Sequence, residues 1–242
     1  MREDLSDAYA SADWAITQLK AFEKGLAAWL NSPPYSFIED PQPQIGKKLI
    51  KLRIDKPLTG LFNAEVGSVI NTIRTSLDLL ASALAVRNGK APSSDRHFPV
   101  YSSIMDFIDP LYVAKRKSAF VERDRLIIEG LKPYAGGNDR LFALHHFDVV
   151  RKHVRLIQVR PIPTAIVVHP YARTQGMDFP TMWPGFEDDA VIAWTDINAT
   201  NSEFQMTVDV TFNEGDILAN EPVGPALRDF WRMASMIIEM FE

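Results

Sequence analysis

Three polar residues share one face of the most strongly periodic segment of the chain. Asn71, Arg74 and Asp78 follow one another at intervals of three and four residues, so an α-helix stacks them on one side. Arg74 and Asp78 are four residues apart and can form a hydrogen-bonded ion pair at the edge of the buried surface. Such a pair could stabilise charge in a reaction, or it could join two packed helices.

A second group of polar residues lies in the segment 138–160, which holds three of the five histidines. On a helix, one flank of this segment carries His145, Asp148, Lys152 and Arg155, and the other carries His146 and His153. Between the flanks runs an apolar stripe: Ala143, Phe147, Val150, Val154 and Ile157. Both helices have polar flanks beside apolar stripes, so we expect Arg74 and Asp78 to contact this helix. The expected partners are Asp148, Arg151 and His153.

The residue types in these two segments suit acid–base chemistry. Such chemistry needs a base that takes a proton and a cation near the developing negative charge. The candidate catalytic residues are Arg74, Asp78, His145 and His153. The candidate binding residues are Asn71, Asp148, Arg151, Lys152 and Arg155. In the alternative interpretation, the same side chains form a closed, hydrogen-bonded network inside a helical bundle.

The sequence has no motif that indicates another kind of catalysis. It has no P-loop, dinucleotide-binding glycine pattern, nucleophile elbow or H-E-x-x-H motif, so we expect no cofactor. We expect no metal site either, because Lys152 lies among the candidate ligands and the facing helix offers only Asp78 as a carboxylate. The segment 96–99, Arg-His-Phe-Pro, is a further candidate to contact both helices.

The composition is that of a globular protein, with 46% hydrophobic and 24% charged residues. A net charge of −5 argues against nucleic-acid binding by the whole surface but leaves room for a local basic patch. The chain has no cysteine, which fits a reducing compartment. Its start, MREDLSDAY, is acidic, and no apolar run approaches the roughly 18 residues of a membrane span. We therefore expect a cytoplasmic protein without a membrane anchor.

Hydrophobic periodicity predicts helices and strands along the whole chain. The predicted helices are a first helix from Leu5 to Leu30, the helix 62–88, a short helix within 104–119, the helices 123–131 and 139–156, and a last helix introduced by Pro222 and Pro225. The predicted strands are 35–40 and 48–55, which form a hairpin, and 157–169, 190–197 and 203–213. Gly89 is expected to end the helix 62–88.

These elements predict a single α+β domain over residues 1–242. A helical bundle, made of residues 1–156 and 221–242, is expected to pack against an antiparallel sheet that is made mainly of residues 157–213. The strict alternation of residues 203–213 assigns the two faces of that strand. The residues expected to face helices are Phe204, Met206, Val208, Val210 and Phe212. The residues expected to face solvent or another subunit are Gln205, Thr207, Asp209 and Thr211.

The helix 62–88 also carries a family resemblance. Residues 71–80, NTIRTSLDLL, resemble the N-x-x-R-x-x-L-D-H-L helix of a widespread, mostly uncharacterised bacterial and phage protein family of about this length. A later helix of that family bears D-K-H-R after a leucine–histidine step. This chain has Leu144-His145 and then residues 151–155, RKHVR, so the resemblance covers most of residues 62–242.

The first helix of that family in turn resembles the R-x4-6-H signature of the HEPN superfamily. Members of this superfamily are helical proteins that often act as metal-independent ribonucleases and work as dimers. The resemblance therefore implies a HEPN-like bundle, RNA as a partner and a homodimer.

Two positions depart from the family pattern. Leu79 stands where the family has the motif histidine, and Arg151 stands where it has an aspartate. Because Leu79 stands in place of the histidine, Arg74 has no proton-transferring partner on the helix 62–88. This favours a soluble binding or assembly protein with a buried Arg/Asp/His network between helices. The alternative is a HEPN-like metal-independent ribonuclease or a toxin/defence-type nucleic-acid-processing protein.

Overall fold

The structure is a computed structural model that describes residues 2–93, 96–168, 176–181, 185–199, 204–214 and 217–242. It combines α-helices with antiparallel β-strands, so the predicted α+β class is confirmed. The chain forms two compact units. The helical unit comprises Met1–Glu23, Gly60–Gln158 and Phe212–Glu242, and the strand unit comprises Lys24–Thr59 and Val159–Thr211.

The helices of the described residues follow the predicted order. They are α1 (Ser6–Asn31), α2 (Gly60–Arg87), α3 (Ile104–Ile108), α4 (Pro110–Ala119), α5 (Glu122–Gly130), α6 (Asp139–His153) and α7 (Val223–Glu239). Within the helical unit, α2 packs against both α6 and α7. Its predicted apolar stripe is buried along its whole length: Val66, Ile70, Ile73, Leu77, Leu80 and Leu84. The spacing of apolar residues therefore identified the central helix of this unit correctly.

The end of α2 is a glycine stop, as predicted. Gly89 has a left-handed backbone with φ of 72°, a conformation that costs glycine little. Its N–H donates to the carbonyl oxygen of Val86 at 2.8 Å, and the N–H of Lys90 donates to that of Ala85 at 3.0 Å. These hydrogen bonds satisfy carbonyl groups of the last helical turn.

By length and composition alone, α2 could cross a membrane, since an 18-residue window of it has a mean hydropathy of 1.3. The sequence analysis found no apolar run of that length, because polar residues such as Arg74 and Asp78 interrupt it. In the structure, 56% of the window is buried against other parts of the chain. Helix α2 is therefore the core helix of the helical unit.

Helix α6 begins as predicted but ends three residues early. The side chain of Asn138 caps its start by accepting a hydrogen bond from the N–H of Leu141 at 3.0 Å. The prediction that the helix continues to residue 156 is wrong, because the helical backbone stops at Val154, with φ of −122° and ψ of −64°. Val154 is 72% exposed and does not belong to the buried stripe.

The segment 104–119, expected to hold one short helix, forms the two helices α3 and α4. Pro110 occupies the first turn of α4, where its missing N–H costs nothing, and it disfavours helical backbone in Asp109. Asp109 instead caps α4 by accepting a hydrogen bond from the N–H of Leu111 at 2.8 Å. Ser103 caps α3 in the same way through the N–H of Asp106.

The strands are β1 (Tyr35–Gln42), β2 (Lys47–Ile54), β3 (Val159–Val168), β4 (Val191–Asp196) and β5 (Phe204–Phe212). The predicted hairpin is confirmed, since β1 pairs with β2 in antiparallel fashion. Strand β4 adds to β2, so the first sheet has the order β1-β2-β4, while β3 pairs with β5 in a second sheet. The hairpin thus shares a sheet with β4, although the sequence-based boundaries grouped it with the helices.

The face assignment of β5 is confirmed at seven of its nine positions. Met206, Val208, Val210 and Phe212 are buried, and Gln205, Thr207 and Asp209 are exposed. The side chain of Phe204 lies outside the described residues. Thr211 is buried, contrary to the prediction, and its hydroxyl donates to the carbonyl oxygen of Arg160 at 3.5 Å.

The expected partner of this strand was incomplete for two residues. Met206 and Val208 were expected to face helices; Leu30 of α1 packs against their core cluster, but the cluster itself also contains Leu52 of β2 and Ile192 of β4. The two sheets therefore bury their apolar faces on each other within the strand unit. Alternation indicates which face of a strand is buried, but not which element covers it.

Candidate functional site

Arg74 lies at the centre of a polar cluster in the helical unit. Its side chain is 2% exposed and makes three hydrogen bonds as a donor. Nη1 donates to Oδ1 of Asp78 at 2.5 Å, Nη2 donates to the carbonyl oxygen of Phe98 at 2.7 Å, and Nε donates to Nδ1 of His145 at 3.4 Å. The ion pair expected from the four-residue spacing is confirmed, and Arg74 contacts helix α6 as predicted.

Asp78 also contacts the segment 96–99. Its Oδ1 also accepts the N–H of Phe98 at 2.8 Å, and its Oδ2 lies 3.2 Å from Nδ1 of His97. Both backbone groups of Phe98 are therefore bonded to the Arg74–Asp78 pair, and the Phe98 side chain is buried. The segment is thus hydrogen-bonded to Arg74 and Asp78 of α2, and Arg74 in turn contacts His145 of α6. We call Arg74, Asp78, His145, His97 and Phe98 the arginine network.

Burial controls the electrostatics of the network. Loss of solvent lowers the pKa of Arg74, and the charges of Asp78 and Asp148 oppose this shift. Burial, followed by the charge of Arg74, lowers the pKa of His145 to about 4. A neutral His145 can accept the Arg74 hydrogen bond at Nδ1, whereas a protonated one could not. The network therefore contains the buried cation of Arg74, the carboxylate of Asp78 and, at His145, a neutral imidazole.

The predicted binding residues of α2 and α6 form a second cluster. Nη2 of Arg151 donates to Oδ1 of Asn71 at 2.7 Å. The stem of Arg151 crosses α2 at Gly67, where an added Cβ would lie 2.8 Å from its Cδ. Asp148 is buried and pairs with Nζ of Lys152 at 2.5 Å, while its Oδ1 has no hydrogen-bond partner. This cluster joins the two helices but does not include Arg74.

The remaining candidates lie towards or beyond the end of α6. His153 is exposed, and His146 is exposed with its ring 6.0 Å from that of Phe142. Arg155 forms two hydrogen bonds with Glu214, at 2.5 Å and 2.8 Å, which fasten the chain after α6.

The predicted partners of Arg74 and Asp78 on α6 are therefore corrected. Within the described residues, neither Arg74 nor Asp78 forms a hydrogen bond or ion pair with Asp148, Arg151 or His153, and the contact runs through His145. Of the four catalytic candidates, Arg74, Asp78 and His145 come together. His153 lies eight residues beyond His145, about two helical turns away.

A pocket of about 330 Å³ opens beside the segment 96–99. Its described lining residues are Ser93, Arg96, His97, Pro99, Tyr101, Tyr112, Lys115, Arg116, Ser118, Ala119 and Phe120. We call this the basic pocket, because three of these residues are permanently charged cations and none is a carboxylate. Its volume lies at the lower end of the roughly 300–1,000 Å³ that small-molecule sites occupy.

Arg116 is the most buried cation of the basic pocket. It is 3% exposed, its Nη2 donates to the carbonyl oxygen of Phe107 at 2.8 Å, and its Nε lies 3.4 Å from Oε1 of Glu129. Its guanidinium also lies over the ring of Tyr101, 5.1 Å from the centroid. Its Nη1 is buried and has no partner at ordinary hydrogen-bond distance and angle. The Tyr101 hydroxyl lies beside the guanidinium, since burial raises the pKa of Tyr101 and a hydrogen bond from Arg116 opposes this rise. A buried N–H group without an acceptor is rare in folded proteins.

The basic pocket was not predicted from the sequence. A signal was present, because Tyr112, Lys115 and Arg116 follow one another at helical spacing on α4. Their functional meaning depends on the segment 93–101, which lies elsewhere in the sequence and has little periodicity. Only tertiary structure brings the two stretches together.

Within the described residues, no group of three histidine, aspartate or glutamate side chains is placed to hold a metal ion. Comparisons with protein-family models, with curated proteins and with solved structures gave no match for this chain. Function is therefore inferred from the geometry of the arginine network and the basic pocket.

Proposed function

We propose that this chain is a binding protein for a small anionic ligand and that the ligand occupies the basic pocket. The observation that carries the proposal is the unpaired Nη1 of Arg116, a side chain that lines the pocket and is 3% exposed. Leaving a buried charged donor without an acceptor costs more than the about 1–3 kcal/mol of a neutral group. Nη1 itself is sealed from solvent, so the pocket lining must open before an anionic oxygen can accept this hydrogen bond and remove the cost.

The charge around the pocket supports the same ligand class. Arg96, Lys115 and Arg116 line it, and its described lining residues include no aspartate or glutamate. The whole chain has a net charge of −5, so this concentration of positive charge is local. A pocket lined by one sign of charge concentrates ligands of the opposite sign.

The arginine network then acts as the support of the pocket. Arg96, His97 and Pro99 line the pocket on either side of Phe98, whose N–H and C=O groups are held by Asp78 and Arg74. A buried network of this kind fixes the backbone from which the pocket residues project. This agrees with a binding protein whose Arg/Asp/His network is structural.

Isothermal titration calorimetry with inorganic phosphate tests the proposal. Wild-type protein should bind phosphate, and Lys115→Ala should weaken binding by about 1.4- to fivefold, since one exposed charge contact contributes roughly 0.2–1 kcal/mol. Lys117→Ala is the matched control, because Lys117 is exposed on the same helix but does not line the pocket. Absence of binding to the wild type, or an equal loss in the two variants, would contradict the proposal.

A metal-independent ribonuclease is the second candidate function, and the position of His97 favours it. The imidazole is 64% exposed, lines the basic pocket, and has Nδ1 3.2 Å from Oδ2 of Asp78. With the Nδ1 proton donated to Asp78, Nε2 carries a lone pair that can accept the proton of a 2′-hydroxyl. His97 lies in a loop and would thus supply the imidazole that α2 lacks, since Leu79 stands in place of the motif histidine.

In this reaction the 2′-oxygen bonds to phosphorus while the bond from phosphorus to the 5′-oxygen breaks. The proton of the 2′-hydroxyl goes to His97, and the 5′-oxygen takes a proton from Lys115 or from water. Single-stranded RNA and transfer RNA should then be cleaved in the presence of a chelator and leave a 2′,3′-cyclic phosphate.

Histidine variants locate the base. His97→Ala should lower the cleavage rate by about 100-fold, and His145→Ala and His153→Ala, which lie outside the lining of the pocket, should lower it less. RNA that stays intact with and without added metal would defeat this candidate and leave the binding function. Light scattering on the same preparation tests the homodimer that the family resemblance implies.

A further inference from the structure

The basic pocket has an aromatic wall as well as positive charge. Tyr112 is 37% exposed, and its ring centroid lies 5.3 Å from that of Tyr101 at an interplanar angle of 66°. Tyr101 in turn packs edge-on against Phe107, with centroids 5.8 Å apart. The exposed ring of Tyr112 is therefore held in place by a cluster of other rings. An exposed, fixed ring is a surface on which a planar group can stack.

The cations lie within a few ångströms of this wall. Nζ of Lys115 is 5.5 Å from the centroid of Tyr112, and the guanidinium of Arg116 is 5.1 Å from that of Tyr101. An exposed cation–π contact contributes little, so the ammonium of Lys115 can move to an anionic oxygen at small cost. A single small ligand can therefore reach both the charges and the ring.

We propose that the ligand of the basic pocket is a nucleotide unit, with its base stacked on Tyr112 and its phosphate bound by Lys115 and Arg116. This inference rests on the proposed anion-binding function and deepens it. Sites that bind nucleotides without reading their sequence combine basic side chains with aromatic rings in this way. The same unit could come as a free nucleotide or as part of a single-stranded RNA.

Other small anions fit the pocket less well. An aliphatic carboxylate has no ring that could stack on the exposed ring of Tyr112. An aromatic amino acid would bring an ammonium group to a pocket whose described lining residues include three cations and no carboxylate. A nucleotide brings both a planar base for the ring of Tyr112 and a phosphate for the cations.

Calorimetry with four probes tests the inference on the full chain: inorganic phosphate, adenosine, AMP and a 5′-phosphorylated single-stranded hexanucleotide. AMP should bind about tenfold or more tightly than phosphate and than adenosine, because a stacked base adds to the phosphate contacts. Tyr112→Leu removes the flat ring but keeps an apolar side chain, so the preference for AMP over phosphate should fall to near unity. Tyr112→Phe keeps the ring and should keep the preference.

The outcomes separate the inference from the function on which it rests. If phosphate and AMP bind equally well to the wild type, the nucleotide inference is overturned and anion binding stands. If none of the anions binds, the proposed function itself is overturned. A hexanucleotide that binds more tightly than AMP and depends on Tyr112 identifies RNA as the source of the unit. Equal binding of the two identifies the free nucleotide.

Discussion

Arg74 and Arg116 are both almost completely buried, but their surroundings differ. Arg74 has an ion pair with Asp78 at 2.5 Å and two further hydrogen-bond acceptors from the protein. Arg116 has a hydrogen bond to the carbonyl oxygen of Phe107 at 2.8 Å, an ion pair and hydrogen bond with Glu129 at 3.4 Å, and an Nη1 without a partner. The arginine network is satisfied by the protein itself, whereas the basic pocket has unused capacity for an anion. A buried charge that the protein satisfies supports the fold, and one that it leaves unsatisfied is a candidate for ligand binding.

Removing the carboxylate of the arginine network should give the largest effect on stability. Asp78→Ala leaves Arg74 buried without its counter-charge and the N–H of Phe98 without its acceptor. The free energy of unfolding should fall by about 3–5 kcal/mol, as measured by urea denaturation.

Asp13→Ala is the matched control, because Asp13 is exposed on α1. Its effect should stay within about 0.5 kcal/mol. An Asp78→Ala protein as stable as the control would mean that the network does not support the fold.

The corresponding change in the basic pocket should act on binding more than on stability. Arg116→Met keeps an apolar stem but removes the buried guanidinium, so phosphate affinity should fall by roughly 1.5–3 kcal/mol, the range of charged hydrogen bonds. Thermal unfolding should change less than in Asp78→Ala, because no carboxylate is left buried without a partner. Arg123→Met, at an exposed position of α5, should bind phosphate like the wild type. Unchanged affinity in Arg116→Met would remove Arg116 from the site.

The network should also make stability depend on pH through His145. Its pKa is about 4 in the folded protein against an ordinary value of 6.5, so between these values the unfolded chain binds a proton that the folded chain does not. The contribution of neutral His145 is complete above pH 6.5 and is lost as the pH falls to about 4.

His145→Asn keeps an acceptor for Arg74 but does not titrate in this range. Urea denaturation across pH 6.5 to 4 should therefore give a shallower loss of stability in this variant than in the wild type. Equal slopes would mean that His145 is solvated and titrates normally.

Periodicity was sufficient to predict the parts of the molecule that depend on local geometry. It identified the buried stripe of α2, the Arg74–Asp78 pair and the faces of β5, because side-chain direction follows directly from helix and strand geometry. It predicted Asp148, Arg151 or His153, and not His145, as the partner of Arg74. His145 and Asp148 lie on the same flank of α6, and only the relative shift of the two packed helices brings His145 opposite Arg74.

The basic pocket could not be predicted from periodicity. It combines α4 with Ser93 and the segment 96–101, and Arg116 gains its significance from an Nη1 without an acceptor, which no sequence pattern reports. The covering of Met206 and Val208 by the other sheet is a similar case. Each depends on contacts between elements that no periodic pattern connects.

Arginine side-chain NMR compares the two clusters in a single titration. The Nε–Hε resonances of Arg74 and Arg116 are followed while phosphate is added at constant ionic strength, with sodium chloride as the matched control. The Arg116 resonance should shift with phosphate and not with chloride, while that of Arg74 stays unchanged, because its acceptors are already supplied by Asp78, Phe98 and His145. A shift of Arg74 without one of Arg116, or no shift of either, would contradict the assignment of the network to structure and the pocket to binding.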